Sequence, residues 1–321
     1  MKAALVSRPG QINFVDVESP AIKAGHVLVS RQVVSVCGSD LHYVYYSHPQ
    51  DYPLPVGASG HEFVGLVEES DGAAFQPGDR VLVHIEDSTG LADIRLTHPR
   101  DLIRLPAEGD LEHLVMAQPL GTVLWACCRL DNIIGQDAVV LGQGGLGLLF
   151  DSVLRRLGAS RVIGIDLEPA RLEMAPRMGA THTINASTDD PLDAVRELTG
   201  GERADLVVEA AGEIETIQLC HQLARVRGQL VLFGLPRGPD KIPFNYFDFF
   251  RRYLRVISSS GAELEPGLRR MYHLGIDYIA QGVIDVAPLI THRFPFDEAG
   301  VQRAFHLAYT RGEGAGRVLI H

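Results

Sequence analysis

Apolar and polar positions follow two different rhythms along the chain. Up to about residue 120 the apolar runs are short and rich in β-branched residues, as in HVLVSRQVVSVCG, HEFVGLVEES and DRVLVHI. Such runs predict strands, with turns or loops at Gly25, Gly78 and the stretch from Pro49 to Pro55. An irregular or barrel-like β domain is the natural reading. From Leu111 the texture becomes helical, and LEHLVMAQPLGTVLWACCRL predicts one or two buried helices broken near Pro119.

Between residues 137 and 260 strand and helix patterns alternate. DAVVLGQG predicts a strand and turn, GLGLLFDSVLRRLG a helix, SRVIGID a strand and PARLEMAPRMG a helix. THTINA, the helix PLDAVRELTG, the strand ADLVVEAAG, the helix IETIQLCHQLARVRG and the strand GQLVLFG continue the series. Continuous apolar strands between amphipathic helices indicate an α/β fold whose parallel sheet is covered on both faces. The remaining residues predict a helix near 267–281, the strand PLITHRF, a helix near 297–311 and a terminal strand, GRVLIH.

A length of 321 residues exceeds one ordinary core, so two domains are expected. The formal net charge of -11 argues against wide nucleic-acid contact, which needs a basic face. It leaves room for a small anionic cofactor, because helix N-termini bind phosphate without net charge. The apolar runs are too short and too interrupted by charge for a membrane span, and the N-terminus reads as a first strand rather than a signal peptide. Cys37, Cys127, Cys128 and Cys220 contain no CxxC pair, so no closed four-thiolate zinc site is encoded. A reducing, cytoplasmic compartment fits that usage.

The first chemistry-bearing motif is Gly142-Gln143-Gly144-Gly145-Leu146-Gly147, a GxGxxG turn between a predicted strand and a predicted helix. Its glycines serve the tight turn, the approach of a pyrophosphate and close helix packing, which points to a dinucleotide. Asp166 ends the next strand, where its carboxylate could accept both adenosine ribose hydroxyls and repel a 2'-phosphate. NAD is therefore expected over NADP. Arg171 complicates that expectation, since it either pairs with a phosphate or sits on an exposed helix face.

Cys37 in VCGSDLHY and His61-Glu62 in SGHEFVG offer sulfur, nitrogen and oxygen donors for a metal, but no helical spacing joins them. On spacing alone a buried cysteine is more often a small hydrophobe and a histidine a satisfied polar residue. Gln118 in VMAQPLG is, on the same footing, a polar residue at a helix start.

Taken together, MKAALV, CGSDLHY, GHEFVG, GDRV, QPLG, LGQGGLG, PLITHRFPFDEA and GRVLIH make the chain resemble the zinc-type alcohol and polyol dehydrogenases of the medium-chain dehydrogenase/reductase family, essentially end to end. The resemblance implies a GroES-like β-rich catalytic domain from residues 1–121 and 261–321, with a doubly wound Rossmann NAD-binding domain inserted at 122–260. It also implies one catalytic Zn2+. Cys37 and His61 match ligands of that ion, and Glu62 matches a carboxylate that is bonded to the metal in some members and only adjacent in others. Asp40 matches the group that orients the histidine, Ser39 the hydroxyl that takes the substrate proton, and His42 the outer end of the relay. Without the resemblance, Ser39 and Asp40 read as turn caps and His42 as a surface residue.

This chain departs from the family pattern twice. After GDRV it runs directly into LVHIEDSTGLADIRLTHPRDLIRLP, so the lobe that carries a structural zinc in many relatives is expected to be missing. Gln118 stands where relatives usually place Glu or Cys as a third ligand, and an amide oxygen is the weaker donor. The implied site is Cys37, His61, Glu62 and Gln118, and the alternative is a Gln118 that only hydrogen-bonds near its helix start. The implied activity is NAD-dependent oxidation of a secondary alcohol on a sugar, polyol or similar small polar molecule, or the reverse reduction of a ketone. A homodimer or homotetramer is expected. Tyr43, Tyr45, Tyr46 and His48 either rim the substrate pocket or pack, and Trp125 is expected in the core. The rival readings are a metal-free medium-chain reductase of the quinone or enoyl type and a non-catalytic NAD-binding protein.

Overall fold

The computed structural model describes residues 1–84, 89–236, 241–259 and 267–321. It divides into two units, Met1–Pro119 with Tyr272–His321 and Leu120–Met271. The expected boundary at 260/261 lies outside the described residues.

The N-terminal part of the first unit contains β1 (Lys2–Arg8), β2 (Gln11–Asp16), β3 (Val27–Ser35), α1 (Gly38–Tyr46), β4 (Glu62–Ser70), β5 (Arg80–His84), β6 (Ile94–Thr97), β7 (Leu102–Arg104), α2 (Leu111–Leu114) and the start of α3 (Ala117–Cys127). The second unit carries β8 (Asp137–Leu141), α4 (Gly145–Arg156), β9 (Arg161–Asp166), α5 (Pro169–Met174), β10 (His182–Asn185) and α6 (Pro191–Leu198). It continues through β11 (Ala204–Glu209), α7 (Ile214–Leu223), β12 (Ala224–Leu232), α8 (Tyr246–Arg251) and β13 (Arg255–Ser258) to α9 (Leu268–Ala280). The chain then returns to the first unit with β14 (Ile290–Phe294), α10 (Glu298–Thr310) and β15 (Arg317–Ile320).

In the first unit, β1 and β2 form an antiparallel pair, and a seven-stranded sheet among the described residues runs β14-β15-β3-β4-β5-β7 with β6 also paired to β3. Runs of buried residues on these strands place Val27, Val29, Val34, Phe63, Val67, Val81, Val83 and Val318 in one core, capped by Val301, Ala304 and Phe305 of α10. Both chain ends therefore build the same β-rich, GroES-like domain. The register Leu319↔Ser35 and Ser35↔Glu62 aligns β15, β3 and β4 at one end of the sheet. That alignment brings Arg317 of the C-terminal strand to Glu62.

The second unit is a six-stranded parallel sheet in the order β10-β9-β8-β11-β12-β13. The order reverses between β8 and β11, and in doubly wound sheets ligands bind outside the strand C-termini at such a switch point. Val139, Leu141, Ile163, Ile165, Val207 and Leu230 form its core, consistent with strands covered on both faces.

The expected break near Pro119 is present: α2 ends at Leu114 and α3 begins at Ala117, with Pro119 in its first turn, where a missing N–H costs no hydrogen bond. One local reading changes. ARVRG is not helical. Helix α7 ends at Leu223, and Ala224 pairs with Ala204 as β12 begins, so sheet pairing overrides the helical pattern. Among the described residues no helix is long and apolar enough to cross a membrane.

Candidate functional site

Cys37 is the residue before α1, and His61 is the residue before β4. The two chain segments converge so that a sulfur of Cys37, a ring nitrogen of His61 and a carboxylate oxygen of Glu62 lie within 4.8 Å of one another. Asp40 organises them. Its carboxylate accepts the Cys37 N–H at 3.0 Å and the Gly60 N–H at 2.9 Å, and meets His61 Nδ1 at 3.0 Å. The first of these closes α1 in the manner of a capping box; the last commits Nδ1–H and leaves Nε2 to face the cluster. Burial works against the Asp40 charge, yet His61 and the two amides hold its carboxyl below the usual range. Burial likewise opposes a charged His61, but Asp40 and then the Cys37 sulfur raise its pKa well above the ordinary value. Soft sulfur, imidazole and carboxylate at this separation suit a zinc-like ion.

One partner was not anticipated. Arg317 donates to Glu62 at 2.9 Å, and both side chains are buried, with 4% and 1% exposure. Its guanidinium faces Cys37 too; burial opposes its charge, while Glu62 and then Cys37 raise its pKa. The available signal was a lone arginine in the apolar terminal strand GRVLIH, whose meaning depends on a register that sequence alone does not supply.

Ser39 Oγ lies 3.4 Å from Cys37 Sγ and 3.5 Å from His61 Nε2, so its hydroxyl stands at the donor set. His42 is one turn on along α1, exposed, with its ring 5.7 Å from that of Tyr46. No described hydrogen bond joins it to Ser39. Gln118 is buried in the first turn of α3, its N–H bonded to the Val115 carbonyl at 3.4 Å. Tyr43 and Tyr45 pack on the core, Tyr45 stacking on Tyr309 at 3.9 Å, so both follow the packing reading. Tyr46 is exposed, and His48 caps a short turn through Gln50 N–H. Trp125 is half-buried over Gly267, where a Cβ would meet its ring at 2.1 Å.

The second unit places the glycine-rich turn between β8 and α4, at the strand-order reversal. Gly142 has φ +91, and a Cβ on Gly147 would lie 1.8 Å from the Gly142 carbonyl oxygen, so both positions require glycine. Above Gly144 a Cβ would meet nothing within 4 Å, which leaves the backbone open to a ligand. Gly145 and Leu146 are the first residues of α4 and supply the helix N-terminus suited to a pyrophosphate. Asp166 is more committed than its position at the strand end suggests. It accepts N–H groups from Gln143 at 2.6 Å, Leu167 at 2.8 Å and Glu168 at 3.0 Å. Arg171 lies 3.8 Å from it and is buried, so the exposed-face reading of Arg171 does not hold.

Comparison with known proteins agrees with both units. A family model described as an alcohol dehydrogenase GroES-like domain matches residues 23–106, and one described as a zinc-binding dehydrogenase matches residues 145–275. An L-threonine 3-dehydrogenase of Bacillus velezensis is 27% identical over 334 residues, covering 95% of this chain and 94% of that protein. A sorbitol dehydrogenase of Bacillus subtilis is 27% identical, covering 93% and 91%. Among solved structures, the alcohol dehydrogenase TADH of Thermus sp. ATN1 superposes with a TM-score of 0.86 at 25% identity, covering 100% of this chain and 99% of that one.

Proposed function

We propose that this chain, which has the fold of the zinc-type medium-chain dehydrogenase/reductase family, is an NAD-linked oxidoreductase of that type and oxidises a secondary alcohol of a sugar, polyol or similar small hydroxylated molecule. The observation that carries the reading is the convergence of Cys37, His61 and Glu62, with Ser39 beside them. These residues, with Gln118, would hold one catalytic zinc, which when bound supplies Lewis acidity that lowers the pKa of an alcohol. Gly142, Gly144, Gly145, Leu146 and Gly147, with Asp166, would hold NAD, which when bound would supply the hydride acceptor.

The chain's own residues have separable tasks. Asp40 fixes the His61 tautomer, and Arg317 fixes the Glu62 carboxylate. Ser39 takes the hydroxyl proton as the adjacent C–H leaves as hydride. His42, one turn away on the same helix face, passes the proton to solvent. Asp166 repels a 2'-phosphate, with Arg171 occupied against it.

We further propose that the structural-zinc lobe is absent, because Cys37 is the only cysteine before Cys127 and only residues 85–93 separate β5 from β6. Self-association is supported by the exposed aromatic side chains of Tyr246, Phe247, Phe250 and Tyr253.

The test is zinc analysis of the purified protein, with NAD and NADP reduction across polyols, sugars and simple alcohols. Zinc at one per chain and a higher kcat/KM with NAD are expected. Undiminished turnover by zinc-free protein would rule the reading out, and preference for NADP would rule out the role of Asp166. Gln118→Ala is expected to weaken zinc affinity about tenfold; unchanged occupancy would make Gln118 a helix-start residue only.

A further inference from the structure

The glycine-rich turn is supported from below by a polar pair inside an apolar core. Gln143, between the first two glycines of the motif, is fully buried and points inward. Its Nε2 donates to the Val140 carbonyl of β8 at 3.2 Å, and its amide lies over Gly164 of β9, where a Cβ would approach it to 2.7 Å. Asp151 of α4 is also fully buried, with the Gln143 amide as its polar neighbour. Among the described residues neither Asp151 oxygen has a hydrogen-bond partner, nor does Gln143 Oε1. Three buried acceptor atoms are thus short of a donor, and a buried acceptor left unsatisfied is costly.

We propose that Asp151 and Gln143 are a positioning pair that holds the dinucleotide turn and, through the turn, the Asp166 carboxylate in the geometry that receives the cofactor. The pair rests on the NAD reading above. Its link to Asp166 is direct, because the Gln143 N–H donates to that carboxylate at 2.6 Å. A proton on Asp151 gives the pair the donor it lacks. Burial is what keeps the proton there, raising the Asp151 pKa well above the ordinary value. Among the described residues none of the charged groups on the packed elements pairs with Asp151: Asp137 of β8, Arg161 and Asp166 of β9, Arg177 beside α5, and Arg155 and Arg156 of α4.

The sign of the pH dependence follows. The folded state keeps a proton that the unfolded chain releases above about pH 4, so stability falls as pH rises beyond that point. Asp151→Asn keeps a donor and cannot ionise, so its thermal midpoint should exceed that of the parent by a margin that widens as pH rises above about 4.

The deciding experiment is calorimetric titration of NAD into the full chain, the Asp151→Asn and Asp151→Leu variants and Gln143→Met, with infrared spectra at neutral pH. Asp151→Asn should keep Kd within about twofold, whereas Asp151→Leu and Gln143→Met should raise it about tenfold, with kcat at saturating NAD unchanged. The parent should show a carboxylic-acid carbonyl band that Asp151→Asn removes. NAD affinity unaltered in the leucine and methionine variants would overturn the pair as a positioning device. If those variants do not fold, the infrared spectrum decides, and no acid band in the parent overturns the proposal. Failure of the parent itself to bind NAD would instead defeat the cofactor reading.

Discussion

Cys37→Ser is expected to strip the site of zinc and lower kcat/KM by about a thousandfold while leaving NAD affinity unchanged. A serine hydroxyl is far less acidic than a thiol, so it does not offer the anionic donor that zinc favours. Losing Lewis-acid stabilisation of several kcal/mol corresponds to roughly three powers of ten in rate. NAD affinity is spared because the glycine-rich turn belongs to the second unit and Cys37 to the first. Metal analysis, steady-state kinetics and NAD titration on one preparation check all three parts. A variant that keeps most of its activity without metal would favour the metal-free reductase reading. In that case Arg317 already balances the Glu62 charge with no ion required.

How much of this was legible in the chain differs from residue to residue. The Gly142–Gly147 turn was legible because a local motif encodes local geometry: its strand, turn and helix are contiguous, and steric demands at Gly142 and Gly147 are met within a few residues. Cys37 and His61 were legible only through resemblance, since Asp40 links them across 21 residues between itself and His61. Arg317 was invisible for a stronger version of the same reason. It meets Glu62 across 255 residues, and that meeting depends on the register of β15 against β3 and of β3 against β4. ARVRG was misread because local propensity is weaker than the strand pairing that the tertiary fold imposes. Asp151 looked like one polar position on an amphipathic helix, and only the packed structure reveals that it is fully buried.

Arg317→Met is the second change with a large expected effect, and it acts first on stability. The side chain is nearly isosteric along its stem, so the loss is concentrated in the guanidinium. Breaking a buried ion pair by removing one partner typically costs about 3–5 kcal/mol, because the remaining charge stays desolvated. Glu62, at 1% exposure, would be that charge. The unfolding transition of the unit holding β3, β4 and β15 should therefore move to lower urea. Replacing both members, Glu62→Met with Arg317→Met, should recover most of the loss, since no uncompensated charge is then buried. Activity should respond differently. The double variant lacks the candidate carboxylate ligand and stays impaired, while the single variant keeps its zinc affinity because an unpaired Glu62 is freer to bond the metal. A single variant with parental stability would show that the pair is not a desolvated one. A double variant no more stable than the single would show that Arg317 acts through Cys37, which its guanidinium also faces, rather than through Glu62.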